Sequence, residues 1–204
     1  WSLKMKSISQ KIKAVSSSPT LSIDAKFKEM KAQGIDVVGF GAGEPDFDTP
    51  CNIKEEAINA INNGFTKYTP ASGTLDLRKA VARKFKEENN LVYEPSQIVI
   101  SNGAKHSLVN ALMAILNPGD EVIISAPYWV SYLEMIKIAD GVPVVIETTE
   151  ESNFKFSPQQ LLDAITDKTK AIILNSPSNP TGMVYTKEEL EKIAEICVRK
   201  DLYV

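Results

Sequence analysis

The sequence predicts an α/β fold, a sandwich in which a mostly parallel sheet is covered by helices on both faces. Short apolar runs typical of buried strands alternate along the chain with longer runs of helical periodicity. Alternation at this spacing is typical of parallel sheets whose strands are joined through helices. The last strand-like run, residues 202–204, is shorter than the usual strand of about five or six residues. We therefore expect the domain to be incomplete.

In the first half of the chain, three helices and two strands are predicted. Residues 23–33 and 52–63 have helical patterns and are followed by Gly34 and Gly64, and a glycine just past a helix commonly ends it. The third predicted helix, residues 74–89, has four apolar anchors: Leu75, Leu77, Val81 and Phe85. Short apolar runs predict strands at residues 35–40 and 97–101.

The second half is more regular. Helices are predicted at residues 104–116, 129–138, 157–165 and 186–199, and strands at 121–125, 142–147 and 170–174. Residues 117–120 form the turn before the first of these strands. Ser157 is a predicted N-cap with Pro158 at the first helical position, and Thr186 and Glu189 form a predicted capping box.

Composition excludes several classes of function. Hydrophobic residues are 43% of the 204, charged residues are 24%, and the net charge of -3 comes from interspersed signs. With no basic stripe, we expect no nucleic-acid partner, and with no long apolar run, no membrane partner. Two cysteines in unrelated contexts predict free thiols in the cytoplasm, and no metal site is predicted. His106 is the only histidine, so a Ser-His-Asp site would have to use it.

Three loops should line one edge of the sheet, because ligands of such folds bind outside the carboxyl ends of the strands. These are residues 101–105, 126–129 and 175–182. The first has a glycine before a helix, which is typical of an anion site but also of an ordinary turn. Tyr128 and Trp129 could cover a flat ring or fill the core. The third loop either holds an asparagine side chain in place to donate a hydrogen bond to a ring oxygen or is simply a rigid turn.

Together, an anion site, aromatic side chains that can cover a flat ring and a rigid hydrogen-bond donor on one edge of the sheet favour a phosphorylated aromatic cofactor. Two other phosphate motifs are excluded. A Walker loop is absent, and the glycines at 39, 41 and 43 are followed by Glu44 and Pro45 where a dinucleotide fingerprint would open a helix.

Six motifs carry a resemblance to a known family. They are GEPDFDTP (43–50), KYTP (67–70), SNGAK (101–105), PGDEV (118–122), PYWVSY (127–132) and NSPSNPTG (175–182). In this order and spacing they resemble class I aminotransferases of fold type I, in the prokaryotic aspartate aminotransferase subgroup. The resemblance covers nearly the whole chain. It implies that the sheet belongs to the three-layer large domain of a pyridoxal-phosphate-dependent transferase.

The resemblance implies pyridoxal 5′-phosphate (PLP) as cofactor and assigns residues to it. Gly103, Ala104 and Lys105 resemble the loop on the phosphate side. Trp129 resembles the aromatic residue that stacks on the pyridine ring. Asn179 resembles the asparagine that donates a hydrogen bond to the phenolic oxygen of the cofactor.

The same resemblance implies a substrate site and a homodimer. Gly43 resembles the residue whose backbone contacts the substrate α-carboxylate, and Trp129 and Asn179 also border the substrate. Lys105 and Thr20 match positions that recognise the distal carboxylate of aspartate or glutamate, although a solvated surface lysine is the alternative for Lys105. Tyr68 resembles the tyrosine that reaches the cofactor phosphate of the neighbouring subunit.

The implied activity is transfer of an amino group between aspartate, or a related amino acid, and 2-oxoglutarate. No lysine here has the family's Schiff-base context, so we expect that lysine beyond Val204, no catalytic residue in this chain, and no activity from these 204 residues alone. Two alternatives remain open. One is a related enzyme with aromatic, alanine or prephenate specificity, and the other is a non-catalytic binding or dimerisation module.

The resemblance also predicts two domains. Residues 1–50 would form an N-terminal arm and a segment of a small domain, and residues 51–204 would form the first part of the large, PLP-binding domain.

Overall fold

The computed structural model describes residues 6–41 and 43–204. Its helices are α1 (Gln10–Lys13), α2 (Pro19–Ala32), α3 (Cys51–Asn62), α4 (Leu75–Asn89), α5 (Ala104–Ile115), α6 (Ser131–Ile138), α7 (Pro158–Ala164) and α8 (Lys187–Arg199). Its strands are β1 (Glu121–Ala126), β2 (Val142–Glu147) and β3 (Thr169–Ile172). Among the described residues, none of the helices combines the length and apolarity that crossing a bilayer requires.

The described residues form two compact units. Residues 6–19 and Lys105–Val204 make one, the sheet unit, and the described part of Thr20–Ala104 makes the other, the helical unit. The predicted division into residues 1–50 and 51–204 stays a prediction.

The sheet unit has a parallel sheet in the order β2-β1-β3. Glu121 pairs with Val142 and Ala126 with Glu147, so β1 and β2 are in register along their whole length. An isolated parallel bridge joins Ala171 to Tyr203, so the predicted strand at residues 202–204 does pair beside β3. The α/β class with a parallel sheet is confirmed.

Alternate residues of β1 face two different apolar cores. Val122 and Ile124 pack with Leu112 of α5 and Met135 of α6. Ile123 packs on the opposite face in a cluster with apolar residues of the other two helices, which are Leu161 of α7, Ile193 of α8 and Ile196 of α8. All three β1 residues are at most 1% exposed, and each such burial stabilises the fold by about 1.5–3 kcal/mol. Helices therefore cover both faces, which makes the predicted three layers.

Helix ends follow the predicted chemistry. Ser157 and Thr186 accept hydrogen bonds from the amides of Gln160 and Glu189, which confirms the predicted N-cap and the predicted capping box. Gln160 completes a second capping box at Ser157 that was not predicted from the sequence. In the helical unit, α2 ends in a Schellman motif in which Gly34 has φ +78° and Ile35 N–H donates to Met30 O. The end of α3 at Gly64 repeats this arrangement with φ +76°.

Both strands predicted in the helical unit are wrong. Residues 35–40 pair with no strand among the described residues, and Val38 and Phe40 are 74% and 95% exposed. Gln97 ends a short 3-10 helix, and residues 98–101 have no regular secondary structure. Ile100 N–H donates to Ser72 O in a loop and not to a neighbouring strand. An apolar run becomes a strand only when a neighbouring strand satisfies its backbone groups, and neither run has one within the part of the chain that the structure describes.

The apolar anchors predicted in helix α4 are only partly buried. Leu75 and Leu77, predicted as apolar anchors, are 49% and 47% exposed. Val81 and Phe85 are half-buried, and Phe85 packs edge-on against Tyr93 with ring centroids 5.8 Å apart. Amphipathic spacing locates an apolar stripe, but tertiary contacts decide which part of the stripe is covered.

Candidate active site

The carboxyl ends of β1 and β3 lead into two loops that meet. Residues 127–130 follow β1, and residues 173–182 follow β3. A cavity of about 10 Å³ lies between them, and its lining includes Ser125, Tyr128, Tyr132, Asn175 and Asn179. That volume admits about one water molecule, so the two loops are in close contact. Two of the three predicted loops therefore share this edge of the sheet.

Lys105 and Trp129 are in direct contact. Lys105 is in the first turn of α5, and its Nζ lies 4.9 Å from the centroid of the Trp129 ring. An ammonium over an indole face gains about 0.5–1 kcal/mol where it is exposed, as it is here. The contact orients the Lys105 charge beside the half-buried indole, so a cation and an aromatic face adjoin at this edge.

Tyr132 also packs against Trp129. The two rings are 5.5 Å apart at an angle of 88°, an edge-to-face arrangement that adds to the fixing of the indole. Tyr132 is buried in the apolar core, and this burial raises the pKa of its hydroxyl. We did not assign a role to Tyr132 from the sequence, although its spacing of three residues from Trp129 was a usable signal.

Asn179 lies in a loop that is internally bonded. Its backbone N–H donates to Asn175 Oδ1 at 2.7 Å, Gly182 N–H donates to Ser178 O at 2.8 Å, and Ser178 N–H donates to Met183 O at 2.9 Å. These bonds hold the backbone of Asn179 while the residue itself stays exposed. Asn175 is a second residue to which we gave no role from the sequence.

Gly103 adopts a conformation that favours glycine. Its φ is +85°, and a Cβ there would meet nothing within 4 Å, so backbone conformation rather than crowding requires the glycine. Its N–H donates to Ser101 O at 2.9 Å. Helix α5 begins at Ala104, and the first N–H groups of a helix have no intrahelical partner, which suits an anion.

A larger groove borders Lys105. It has a volume of about 490 Å³, and its lining includes residues 15–19, Lys105, Tyr128 and Glu134. Apolar side chains of α5 and α6 contribute its remaining wall, among them Val109 and Leu133. This size is typical of small-molecule sites.

The three other predicted site residues lie in the helical unit. Thr20 is exposed in the first turn of α2, Gly43 is exposed with open space around its Cα, and Tyr68 is fully exposed. Their grouping with Lys105, Trp129 and Asn179 stays a prediction.

Comparison with known proteins decides the family. The family model described as aminotransferase class I and II matches residues 35–204. The chain belongs to this family. An aspartate aminotransferase of Bacillus sp. (strain YM-2) is 56% identical over 197 residues, which are 97% of this chain and 50% of the relative. An aspartate/prephenate aminotransferase of Nitrosomonas europaea is 52% identical over 189 residues, 93% of this chain and 48% of the relative.

Solved structures of aminotransferases agree with this membership. A structure of aspartate aminotransferase from Thermus thermophilus with maleate superposes with a TM-score of 0.94 at 47% identity. The match covers 98% of this chain and 52% of that one. The chain thus spans about half the length of the aminotransferases it matches.

Proposed function

We propose that the whole protein containing this chain is a PLP-dependent aminotransferase that moves an amino group between aspartate, or a related amino acid, and 2-oxoglutarate. The family in general depends on PLP. The observation that carries the proposal is the contact between Lys105 and Trp129 at the carboxyl edge of the sheet. It sets a cation and a stacking surface side by side, as a phosphorylated ring and an acidic substrate require.

The donor groups present fit PLP. The first-turn amides of α5 beyond Gly103 suit a phosphate, with Ala104 and Lys105 on the same turn. The Trp129 indole suits the ring, and the exposed Asn179 suits a ring oxygen that accepts a hydrogen bond. When bound, PLP supplies the electron sink for reactions at the substrate α-carbon. These residues of the chain would bind and orient it.

A dicarboxylic substrate is supported by charge. Lys105 carries its ammonium at the junction of Trp129 and the 490 Å³ groove. A cation there attracts the distal carboxylate of aspartate or glutamate, and Thr20 would add a hydroxyl. The Thermus thermophilus relative was solved with maleate, which is also a dicarboxylate. Gly43 would contact the substrate α-carboxylate through its backbone.

A second candidate is transfer to or from an aromatic or prephenate-like substrate. The groove beside Lys105 has apolar walls from Val109, Tyr128 and Leu133, which suit an aromatic ring. One relative is named an aspartate/prephenate aminotransferase, and others are named probable aspartate/prephenate aminotransferases.

A homodimer and a cytoplasmic location complete the proposal. Tyr68 is fully exposed, as a tyrosine that reaches a neighbouring subunit would be before assembly. Cys51 and Cys197 are free thiols, which is typical of a reducing compartment.

The proposal is tested with the protein extended to the full length of its relatives. With PLP, aspartate and 2-oxoglutarate, we expect oxaloacetate and glutamate to form, and Trp129→Ala to weaken PLP binding, measured by equilibrium dialysis. The matched control is Trp1→Ala, which changes the other tryptophan outside the predicted motifs. Absence of transfer with aspartate, aromatic amino acids and prephenate-derived substrates would refute the enzyme and leave the binding module.

A further inference from the structure

The segment of residues 9–19, here called the N-terminal strap, forms one wall of the groove beside Lys105. Helix α1 occupies residues 10–13, and residues 15–18 have no regular secondary structure before α2 begins at Pro19. The strap belongs to the sheet unit although the next 85 residues, Thr20–Ala104, form the other unit. Its position therefore depends on contacts with residues that are distant in the sequence.

Two polar contacts tie the strap to α6 and its end. Ser16 N–H donates to Glu134 Oε2 at 3.0 Å. Lys11 Nζ forms an ion pair with Asp140 Oδ2 at 2.7 Å, and Asp140 is the left-handed residue just after α6, with φ +61°. The first contact joins two residues that line the groove, and the second lies near the N-terminal end of the strap.

The two oxygens of Glu134 have separate partners. Oε2 accepts from Ser16 N–H, and Oε1 accepts from Lys137 Nζ at 3.1 Å. The Glu134 side chain is 21% exposed, which partly shields its bond with Lys137, whereas the Ser16 end of the other bond is open to solvent. A partly buried carboxylate that accepts a backbone N–H fixes that segment of backbone more firmly than a neutral acceptor does.

We propose that Glu134 is a positioning residue, which through Ser16 holds the strap wall of the groove at the distance from Lys105 that a dicarboxylic side chain requires. Glu134 does not touch the reacting atoms. Its own charge lies in the same groove as Lys105, but Lys137 and the Ser16 amide offset it, so the Lys105 cation remains available to an acidic ligand. This inference rests on the proposed function.

The test compares Glu134→Ala, Glu134→Gln and Lys137→Ala in the full-length protein. Amide exchange of the strap is measured by mass spectrometry, and the Kd of maleate, a four-carbon dicarboxylate, by calorimetry. Glu134→Ala should speed exchange at Ser16 and weaken maleate by about tenfold, because it removes a hydrogen bond to a charged acceptor. Glu134→Gln keeps a carbonyl acceptor, so amide exchange at Ser16 and the Kd of maleate should both return most of the way to the wild-type values. Lys137→Ala keeps the Ser16 bond and should leave strap exchange within about twofold of the wild type.

Steady-state kinetics distinguishes a positioning role of Glu134 from a general loss of fold stability. Glu134→Ala should raise KM for aspartate with kcat changed much less, whereas a variant that merely destabilises the fold would lower the active fraction, and with it the apparent kcat, without changing KM. Unchanged Ser16 exchange, or faster exchange with unchanged maleate Kd, overturns the proposal. If the wild type binds maleate but transfers no amino group, the proposed function fails, and exchange together with maleate affinity still decides the role of Glu134.

Discussion

The ammonium of Lys105 lies 4.9 Å from the centroid of the Trp129 ring, at the edge of the sheet where β1 ends. In the full-length protein, Lys105→Ala should lower kcat/KM for aspartate by about tenfold to a hundredfold, because a hydrogen-bonded charge pair contributes about 1.5–3 kcal/mol. For phenylalanine the loss should be smaller. The measurement is steady-state kinetics on both substrates, and equal losses would favour the aromatic or prephenate-like alternative.

The lysines of this chain should not bond covalently to PLP. None has the sequence context of the family's Schiff-base lysine. After incubation of the 204 residues with PLP and reduction with borohydride, intact mass should show no stoichiometric adduct, and no transfer from aspartate should be detected. A single modified lysine, located by peptide mapping, would require the residue roles to be reassigned.

Helix α8 offers a matched pair for stability. Ile193 is 2% exposed in the core under the sheet, whereas Val198 on the same helix is 82% exposed. Ile193→Ala should lower the free energy of unfolding by about 2–5 kcal/mol, because it removes buried methyl groups and leaves a cavity. Val198→Ala should change it by less than about 0.5 kcal/mol. Urea unfolding followed by circular dichroism measures both, and similar effects would contradict the packing described for this face.

The two cysteines should differ in reactivity. Cys51 is exposed at the first position of α3, and Cys197 is 2% exposed in α8, where burial raises the pKa of its thiol. Both accessibility and the thiolate fraction therefore disfavour Cys197. With Ellman's reagent the native protein should react at one thiol, mapped to Cys51, and at the second only in denaturant. Rapid labelling of both without denaturant would mean that α8 opens readily.

Glu189 should make stability depend on pH. The pKa of its carboxyl is lowered, first by the hydrogen bond from Lys155 and then by the backbone N–H of Thr186. A lowered folded-state pKa gives stability that is present above the usual value of 4.5 and is lost as pH falls through the lower, folded-state pKa. The side chain is 40% exposed, so solvent screening keeps the effect below about 1 kcal/mol.

The measurement is urea unfolding from about pH 6 down to about pH 3. Glu189→Gln should flatten the acid side of the stability profile relative to wild type. Glu188→Gln, at the exposed neighbouring position of α8, is the control and should keep the wild-type slope. A wild-type slope in Glu189→Gln would mean that other carboxylates cause the acid loss.

Prediction from sequence succeeded where local chemistry decides the structure. The bounds of β2 were predicted to the residue, and the predicted N-cap at Ser157 and capping box at Thr186 locate the starts of α7 and α8. Predictions failed where the structure of a segment depends on contact with another segment or where the segment is very short. The run at residues 35–40 is as apolar as a buried strand, but Phe40 is 95% exposed with no adjoining strand among the described residues. Helix α1 was missed because four polar-rich residues give too short a periodic signal.

The loops and residue types of the candidate site could be predicted from the sequence, but the contacts between its side chains could not. The rule for ligand positions in α/β folds picked the loops that carry Trp129 and Asn179, and the structure brings these two loops together. No spacing rule relates Lys105 to Trp129, which are 24 positions apart in the sequence, or Ser16 to Glu134. Such contacts arise when separate helices pack against one sheet, so local patterns do not encode them.

The ion pair between Lys11 and Asp140 joins residues that are 129 positions apart. A ribosome adds about 5–20 residues per second, so the strap leaves the ribosome on the order of ten seconds before α6 exists. During that interval Lys11 and Ser16 lack their partners Asp140 and Glu134. The strap is thus synthesised well before the residues that fix its position, and it reaches that position only after α6 has been made.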